Sequence, residues 1–229
     1  MSSFVLIHGA GDVGWYWHLV AAELRARGHA VVAPDLPAGD DALTLDDYAD
    51  AVAEAVGDLS DLVVVGQSFG AFTAPLVAVR QPVAELVLVA GMVPAPGEPP
   101  DRWWSATGYA EAVARQAARD GGLTGREDPY LAFYHDVPRA LAEEAMGRQR
   151  TTHPSPAAGA RPWPLEAWPA VPTRFVLCGE DRFFPPDFQR RLARDRLGVV
   201  PEEIAAGHCV ALSRPAALAT LLTTAPTRP

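Results

Sequence analysis

The chain has 229 residues, enough for one large domain, and its 49% hydrophobic and 21% charged residues are typical of a globular protein. Its net charge of −9 argues against nucleic acid and an anionic membrane surface as partners. All 19 basic residues are Arg, and the absence of Lys excludes Schiff-base, pyridoxal-phosphate and P-loop chemistry.

The first 93 residues alternate short apolar runs with amphipathic stretches of helical length. The apolar runs are typical of buried parallel strands and lie at Phe4–Ile7, Ala30–Ala33, Leu62–Val65 and Leu86–Ala90. The stretches between them predict helices at Trp15–Arg27, Leu45–Gly57 and Ala71–Arg80. This alternation indicates an α/β fold with a doubly wound, mostly parallel sheet.

The alternation stops after Ala90 and returns near Thr173. Residues 94–172 hold 12 of the 22 prolines and four of the six tryptophans, with predicted helices at Tyr109–Asp120 and Arg139–Gln149. We predict that this segment is a helical lid inserted into a core formed by residues 1–93 and 173–229. The second part of the core is predicted to contain, in order, a strand, a helix, a strand and a helix at Thr173–Cys178, Asp187–Asp195, Val199–Ile204 and Pro215–Leu222.

The sequence also bears on location and on bound groups. It shows no basic, apolar targeting segment at its start and no window of ~20 apolar residues, so we expect a cytoplasmic protein without a membrane span. Cys178 and Cys209 are too few for a disulfide scaffold or a four-cysteine zinc site, and we expect free thiols. We expect no metal and no cofactor, and a homodimer is left open.

The most informative motif is Gly-Gln-Ser-Phe-Gly at Gly66 to Gly70. It follows a predicted strand and precedes a predicted helix, which is the setting in which G-x-S-x-G forms a nucleophile elbow. Such a turn is tight, so glycine is needed on both sides of the serine. Ser68 is then presented at the carboxyl edge of the sheet, at the start of a helix that favours negative charge.

A serine hydroxyl needs a base, and the elbow fold places an acid and then a histidine after the serine in the chain. His208 lies between the last predicted strand and helix, at the edge that holds Ser68, and is our candidate base. His135 and His153 also follow Ser68, but they fall in the insertion and are interpreted as surface or lid residues. For the acid, Asp181 and Glu180 both follow a strand, and Asp181, further from the strand end, is better placed to turn back toward His208.

The oxyanion formed on attack needs two donors. The residue after the nucleophile offers the backbone N–H of Phe69, and the loop after the first strand offers that of Ala10, which lies between two glycines. His8 is expected to orient this loop by hydrogen bonding. The same loop also fits the dinucleotide fingerprint G-x-G-x-x-G from Gly9 to Gly14, with Asp35 as the ribose ligand, but that interpretation leaves Ser68 and His208 unexplained.

These motifs resemble the α/β-hydrolase superfamily, in particular the small-lid group that includes plant methyl esterases and hydroxynitrile lyases. The resembling stretches are FVLIHGAGDVGWYWHLVAAELRARGHAVVAPDL, VVVGQSFGA, CGEDRFFPPDFQRRLA and AAGHCVALSRP. The resemblance implies a sheet of about six strands, a lid formed by the insertion, and the roles of nucleophile, base, acid and oxyanion donors at Ser68, His208, Asp181, Ala10 and Phe69.

The expected function is that of a serine hydrolase that cleaves a small carboxylic ester through an acyl-enzyme. The lyases of the group carry a lysine after the catalytic histidine, whereas this chain has Cys209 there and no lysine anywhere. A carbon–carbon lyase is therefore a weaker alternative, and a small-molecule receptor that keeps the pocket is another. Trp103, Trp104, Phe133 and Tyr134 are candidates for an apolar pocket, although each could equally pack the lid on the core.

Overall fold

The structure is a computed structural model that describes residues 1–224. It contains one sheet of six strands in the order β2-β1-β3-β4-β5-β6, and every neighbouring pair is parallel. The strands are β1 (Ser3–Ile7), β2 (Ala30–Val32), β3 (Leu62–Gln67), β4 (Val83–Val89), β5 (Thr173–Cys178) and β6 (Glu202–Ile204). The predicted α/β class and the doubly wound parallel sheet of about six strands are confirmed.

A 3₁₀ turn at Gly14–Trp17 and eleven α-helices complete the described elements. The helices are α1 (His18–Ala26), α2 (Leu45–Val56), α3 (Gly70–Val77), α4 (Pro100–Ala106), α5 (Tyr109–Arg119), α6 (Pro129–Phe133), α7 (Arg139–Arg148), α8 (Pro156–Ala160), α9 (Pro186–Leu197), α10 (Val210–Ser213) and α11 (Pro215–Thr223). None of the helices in residues 1–224 is both long enough and apolar enough to cross a membrane.

The central strands are apolar on both faces because helices cover both sides of the sheet. All residues of β1 and β3 are buried, as expected for parallel strands of this kind. The strand order reverses between β1 and β3, and the register pairs Ile7 with Gly66 at their carboxyl ends. The loops that follow β1 and β3 therefore lie side by side at the point where open α/β sheets bind their ligands.

The structure adds helices that the sequence pattern did not indicate. Three of them, α4, α6 and α8, have five to seven residues and a proline at the first helical position. Proline is favoured there because that N–H has no partner within the helix. Helices of fewer than two turns show too little periodicity to be recognised, so the proline enrichment of this segment was the visible signal.

Residues 94–172 connect β4 to β5 and pack against the rest of the molecule through buried tryptophans. Trp103 and Trp163 are almost fully buried, and their indole N–H groups donate to the carbonyl oxygens of Val93 and Phe72 at 2.9 and 3.0 Å. The backbone of this segment also contacts the loop after β1, where the Gly11 N–H donates to His153 O at 2.9 Å. These contacts hold the segment over the carboxyl edge of the sheet.

Candidate active site

Ser68 occupies the turn between β3 and α3 in a left-handed conformation, with φ of +50°. A Cβ at Gly66 would lie 2.8 Å from Gly70 O, and one at Gly70 would lie 2.7 Å from His8 O, so both positions require glycine. The Ser68 N–H donates to Val89 O at 3.1 Å, and Ser68 O accepts from Met92 N at 2.9 Å. The strained turn is thus fixed on both sides, as the sequence motif predicted.

His208 lies in the loop between β6 and α10 and forms a hydrogen bond to a carboxylate. Its Nδ1 is 2.8 Å from Asp181 Oδ2, and both side chains are buried. The rings of Phe133, Phe183 and Phe184 pack edge-on against the imidazole at 5.2–5.5 Å. A carboxylate at Nδ1 favours the tautomer in which Nδ1 carries the proton and Nε2 is free to accept one.

The carboxylate of Asp181 is held in place by further donors. Its Oδ1 accepts from the backbone N–H groups of Phe183 and Phe184 at 2.8 and 2.9 Å, and Gln189 Nε2 donates to Oδ2 at 3.3 Å. Glu180 is exposed to solvent. The structure therefore brings Asp181 to His208, whereas Glu180 lies outside this arrangement.

Gln67 is a component of the site that the sequence reasoning did not single out. Its side-chain nitrogen lies 3.2 Å from His208 Nε2, and its buried Oε1 has no partner among the described residues. No hydrogen bond joins His208 Nε2 to Ser68 among the described residues, and the Gln67 amide is the side-chain partner of this nitrogen. The variable residue of G-x-S-x-G carried no signal for this contact.

Two backbone N–H groups near Ser68 are free to bind a ligand. Those of Ala10 and Phe69 donate to no acceptor in the described part of the chain, and both residues line the cavity that contains Ser68. His8 supports the loop that carries Ala10: its Nδ1 is 2.9 Å from Gly9 O, and Nε2 accepts from Leu36 N at 3.1 Å. Burial lowers the pKa of His8 to about 4, so it is neutral and has the orienting contacts predicted for it.

The cavity has a volume of about 460 Å³, within the range of small-molecule sites. Most of its wall is apolar, with contributions from Phe69, Met92, Trp104, Phe133 and Phe183. Of the four aromatic residues proposed from the sequence, Trp104, Phe133 and Tyr134 line the cavity. Trp103 does not, because it is fully buried between the insertion and the core.

His153 lies in the insertion, as expected, but it is buried rather than at the surface. It is 4% exposed, lines the cavity, and packs against His8 and Phe69 at 5.0 and 6.1 Å between ring centres. Burial lowers its pKa to about 3, and neither ring nitrogen has a partner in residues 1–224. His135 bonds through Nε2 to Glu180 O at 3.0 Å. The positions of His135 and His153 in the sequence do not indicate that one bonds to Glu180 and the other is buried.

The residues of the dinucleotide fingerprint serve the packing of the loop itself. Asp35 accepts from the Gly14 N–H at 2.7 Å and pairs with Arg150 at 2.7 Å, so its carboxylate is already occupied. A Cβ at Gly14 would lie 2.1 Å from Ala33 O. Both cysteines are free thiols, and residues 1–224 contain no group of three His, Cys, Asp or Glu side chains that could hold a metal ion.

The chain is similar to known hydrolases over nearly its whole length. A sequence model of the alpha/beta hydrolase family matches residues 4–221 of this chain. Methylesterase 7 of Arabidopsis thaliana is 29% identical over 96% of this chain and 94% of its own length. An extracellular alpha/beta-hydrolase from a Paenibacillus species shares the fold with a TM-score of 0.76 at 22% identity, covering 97% of this chain and 98% of that one.

A pyrethroid hydrolase from Sphingobium faniae JZ-2 also shares the fold. Its TM-score is 0.76 at 23% identity, and the match covers 96% of this chain and 95% of the other. Because these two solved structures are less than 25% identical to this chain, they show a shared fold only. The sequence match to the Arabidopsis methylesterase likewise extends over nearly the whole chain.

Proposed function

The chain belongs to the alpha/beta hydrolase family, as an esterase of the plant methylesterase type, and we propose that it cleaves a small carboxylic ester through Ser68, His208 and Asp181. One observation carries the proposal: the His208–Asp181 hydrogen bond of 2.8 Å lies at the sheet edge where the turn presents Ser68. The proposed reaction proceeds through a covalent acyl-enzyme.

In the first step Ser68 Oγ attacks the ester carbonyl while His208 Nε2 takes its proton. The Gln67 amide lies 3.2 Å from His208 Nε2, and this contact must break when the Ser68 hydroxyl donates to the same nitrogen. Such contacts are often loose before substrate is bound and shorten in the complex. Asp181, fixed by two backbone N–H groups, stabilises the imidazolium that forms.

The negative charge then develops on the former carbonyl oxygen. The unoccupied N–H groups of Ala10 and Phe69 are the proposed donors to this oxygen, each contributing about 3 kcal/mol to transition-state stabilisation. The neutral His8 fixes the backbone that carries the first donor through Gly9 O. Because the donors are backbone groups fixed before the substrate binds, little reorganisation is required at this step.

Collapse of the tetrahedral intermediate transfers the proton from His208 to the departing alcohol and leaves Ser68 acylated. A water molecule then attacks the acyl-enzyme, with His208 as general base and the same two N–H groups stabilising the oxyanion. Collapse of this second intermediate breaks the bond between Ser68 Oγ and the acyl carbon, and His208 returns the proton to Oγ. The alcohol is therefore protonated and released on the side of the cavity where His208 lies. The products are the free carboxylic acid and the alcohol.

We further propose that residues 94–172 act as a lid on the core of residues 1–93 and 173–229. In support, this segment contributes Trp104, Phe133 and Tyr134 to the wall of the cavity that contains Ser68. The volume of about 460 Å³ favours small esters. The lid would therefore set which ester is accepted, while the core performs the chemistry.

Hydrolysis is favoured over cyanohydrin cleavage by the residue that follows His208. A departing cyanide needs a cation nearby, and an ammonium at ~4 Å would contribute about 4 kcal/mol. Cys209 is buried, and burial raises the pKa of its thiol, so it is neutral. We expect cyanide release from mandelonitrile at the uncatalysed background rate.

The test is a fluorophosphonate probe read by intact mass, combined with a panel of nitrophenyl and methyl esters. The proposal expects one adduct per chain, lost in Ser68→Ala and retained in the Ser105→Ala control, which removes an exposed serine outside the cavity. It also expects turnover of short-chain esters. A receptor without catalysis would turn over none of the esters, and that result would reject the proposed function.

A further inference from the structure

The cavity contains a carboxyl group that the proposed reaction does not use. Asp12 lies in the loop after β1, lines the same cavity as Ser68, and lies close enough to His208 for the two charges to interact. Its side chain makes no ion pair with the described residues. The Gln149 amide approaches the carboxyl but donates its well-formed hydrogen bond to Tyr134 Oη at 3.0 Å.

None of the groups around Asp12 is a permanent cation. The titratable neighbours are His208 and Cys209 on the loop before α10, Tyr134 after α6, and Tyr16 in the 3₁₀ turn. Burial raises the pKa of the Asp12 carboxyl to about 7, so it is largely ionised only in mildly basic solution.

Arg150 is the one arginine in the cavity lining within residues 1–224, and its guanidinium is engaged elsewhere. It pairs with Asp35 at 2.7 Å and donates to Leu36 O at 3.3 Å. The chain has no lysine that could reach the site. Asp12 is half-buried, and a carboxylate in a mostly apolar cavity is costly without a cation or several donors, so the protein leaves the charge of Asp12 to be matched by something that enters the cavity.

The remainder of the cavity also suits a soft cation. The rings of Trp104, Phe133 and Tyr134 contribute to its wall, and aromatic faces attract alkylammonium groups. Because His208 must protonate the departing alcohol, the part of the substrate nearest His208 and Asp12 is the alcohol part. A positive charge on the acyl side would lie toward the opposite end of the ester.

We propose that Asp12 recognises an ammonium group on the alcohol part of the substrate, so that the preferred esters are those of amino alcohols or of quaternary ammonium alcohols. This inference rests on the proposed ester hydrolysis at the same cavity. It adds a substrate class that the arrangement of Ser68, His208 and Asp181 does not specify.

The experiment compares acetylcholine with 3,3-dimethylbutyl acetate, its uncharged carbon analogue of the same shape. At pH 8 the wild-type enzyme should show a kcat/KM at least 10-fold higher for acetylcholine, and this ratio should fall as the pH is lowered to 6. Asp12→Asn should reduce the ratio by 10-fold or more. Asp58→Asn, which removes an exposed carboxylate outside the cavity lining, should leave it within about threefold.

The ratio separates recognition from a general effect on catalysis. If Asp12 acted only by supporting the protonated His208, both esters would slow equally in Asp12→Asn and the ratio would not change. That outcome overturns the inference, as does a wild-type ratio near one, which needs no variant and therefore does not depend on how Asp12→Asn folds.

A binding experiment distinguishes this inference from the proposed function. Calorimetry on Ser68→Ala, which needs no turnover, should show choline binding at least 10-fold tighter than 3,3-dimethylbutanol at pH 8, and Ser68→Ala/Asp12→Asn should lose the difference. Hydrolysis of both esters without a charge preference would overturn the inference alone. Preferential choline binding by a protein that hydrolyses neither ester would reject the hydrolase and retain the cation site.

Discussion

The cavity has two walls that are built in different ways. The wall formed by the sheet edge is fixed by backbone contacts, such as the hydrogen bonds of Ser68 to Val89 and Met92 and those of Asp181 to the two residues after Arg182. The wall formed by residues 94–172 consists of side chains on α4, α6 and the loop after α7, such as Trp104, Phe133 and His153. It meets the loop after β1 at two backbone hydrogen bonds, Arg150 N to Gly11 O at 2.6 Å and Gly11 N to His153 O at 2.9 Å. In the proposed function, the first wall would hold the reacting atoms and the second would determine the shape of the cavity.

This difference implies that substitutions in the two walls should affect different kinetic constants. A change at the sheet edge should reduce kcat for every ester, because it alters groups that act in the transition state. A change in the insertion should alter KM and the choice of ester. The predictions that follow test this division, beginning with the largest effect.

Ser68→Ala is expected to reduce kcat for all esters by 10⁴-fold or more, because the covalent route is lost and only residual catalysis from binding and the oxyanion donors remains. The measurement is ester hydrolysis with circular dichroism to verify folding. Substantial activity in a correctly folded variant would show that the sheet edge does not hold the nucleophile.

Asp181→Asn should reduce kcat by up to ~10⁴-fold, because a neutral amide supports neither the imidazolium nor the productive tautomer of His208. The neighbouring Glu180→Gln makes the same chemical change on an exposed side chain and should leave kcat within about twofold. Kinetics of the two variants with one ester give the comparison. A larger loss of kcat in Glu180→Gln than in Asp181→Asn would show that Glu180, and not Asp181, is the acid.

The sheet-edge wall could be predicted from the sequence because each of its parts carries a local signal. The apolar run of β3, the glycines around Ser68 and the position of His208 before the last helices depend on near neighbours in the chain. Parallel strands then bring their carboxyl ends to one edge, so local patterns were sufficient to place distant residues together.

The insertion could not be predicted to the same depth because its side-chain positions depend on contacts far apart in the chain. Trp103 and Trp104 are adjacent, yet the first is fully buried and the second lines the cavity with 37% exposure. His153 was expected at the surface or in the lid, and it lies in the insertion but is buried against His8. Gln67 and Asp12 face the cavity, but their residue types at those positions had no recognisable pattern.

Trp104→Ala should raise KM about 10-fold for the ester that fits the cavity best, and should leave kcat within about threefold. The reason is that an apolar surface worth about 1.4 kcal/mol of binding is lost while the reacting groups stay in place. Leu131→Ala is the matched control, since Leu131 lies in the same insertion with the same 37% exposure but outside the cavity lining.

The measurement is kcat and KM of Trp104→Ala and Leu131→Ala for esters of increasing size. A loss of kcat comparable with that of Asp181→Asn would mean that the insertion positions the reacting groups, and the division between the two walls would not hold. Equal effects of Trp104→Ala and Leu131→Ala would mean that Trp104 makes no contact with substrate.

The last comparison is a dependence of stability on pH, which involves one histidine from each wall. His8 and His153 have pKa values of about 4 and 3 in the folded protein, below the ordinary value of 6.5, so the unfolded chain binds more protons as the pH falls below 6.5. Each therefore lowers the free energy of unfolding by up to ~1.4 kcal/mol per pH unit between pH 6.5 and 4. Asp12 acts in the opposite direction, because its raised pKa of about 7 makes the folded state the better proton acceptor above pH 4.

The net loss expected from these three groups is therefore about 1.4 kcal/mol per pH unit between pH 6.5 and 4, the contribution of one proton. His153→Phe should remove most of this slope in urea denaturation, because Asp12 then offsets His8. An unchanged slope in His153→Phe would mean that this imidazole is protonated in the folded protein. The insertion would then have to open enough to admit water to His153, whereas the sheet edge beneath it keeps His8 neutral.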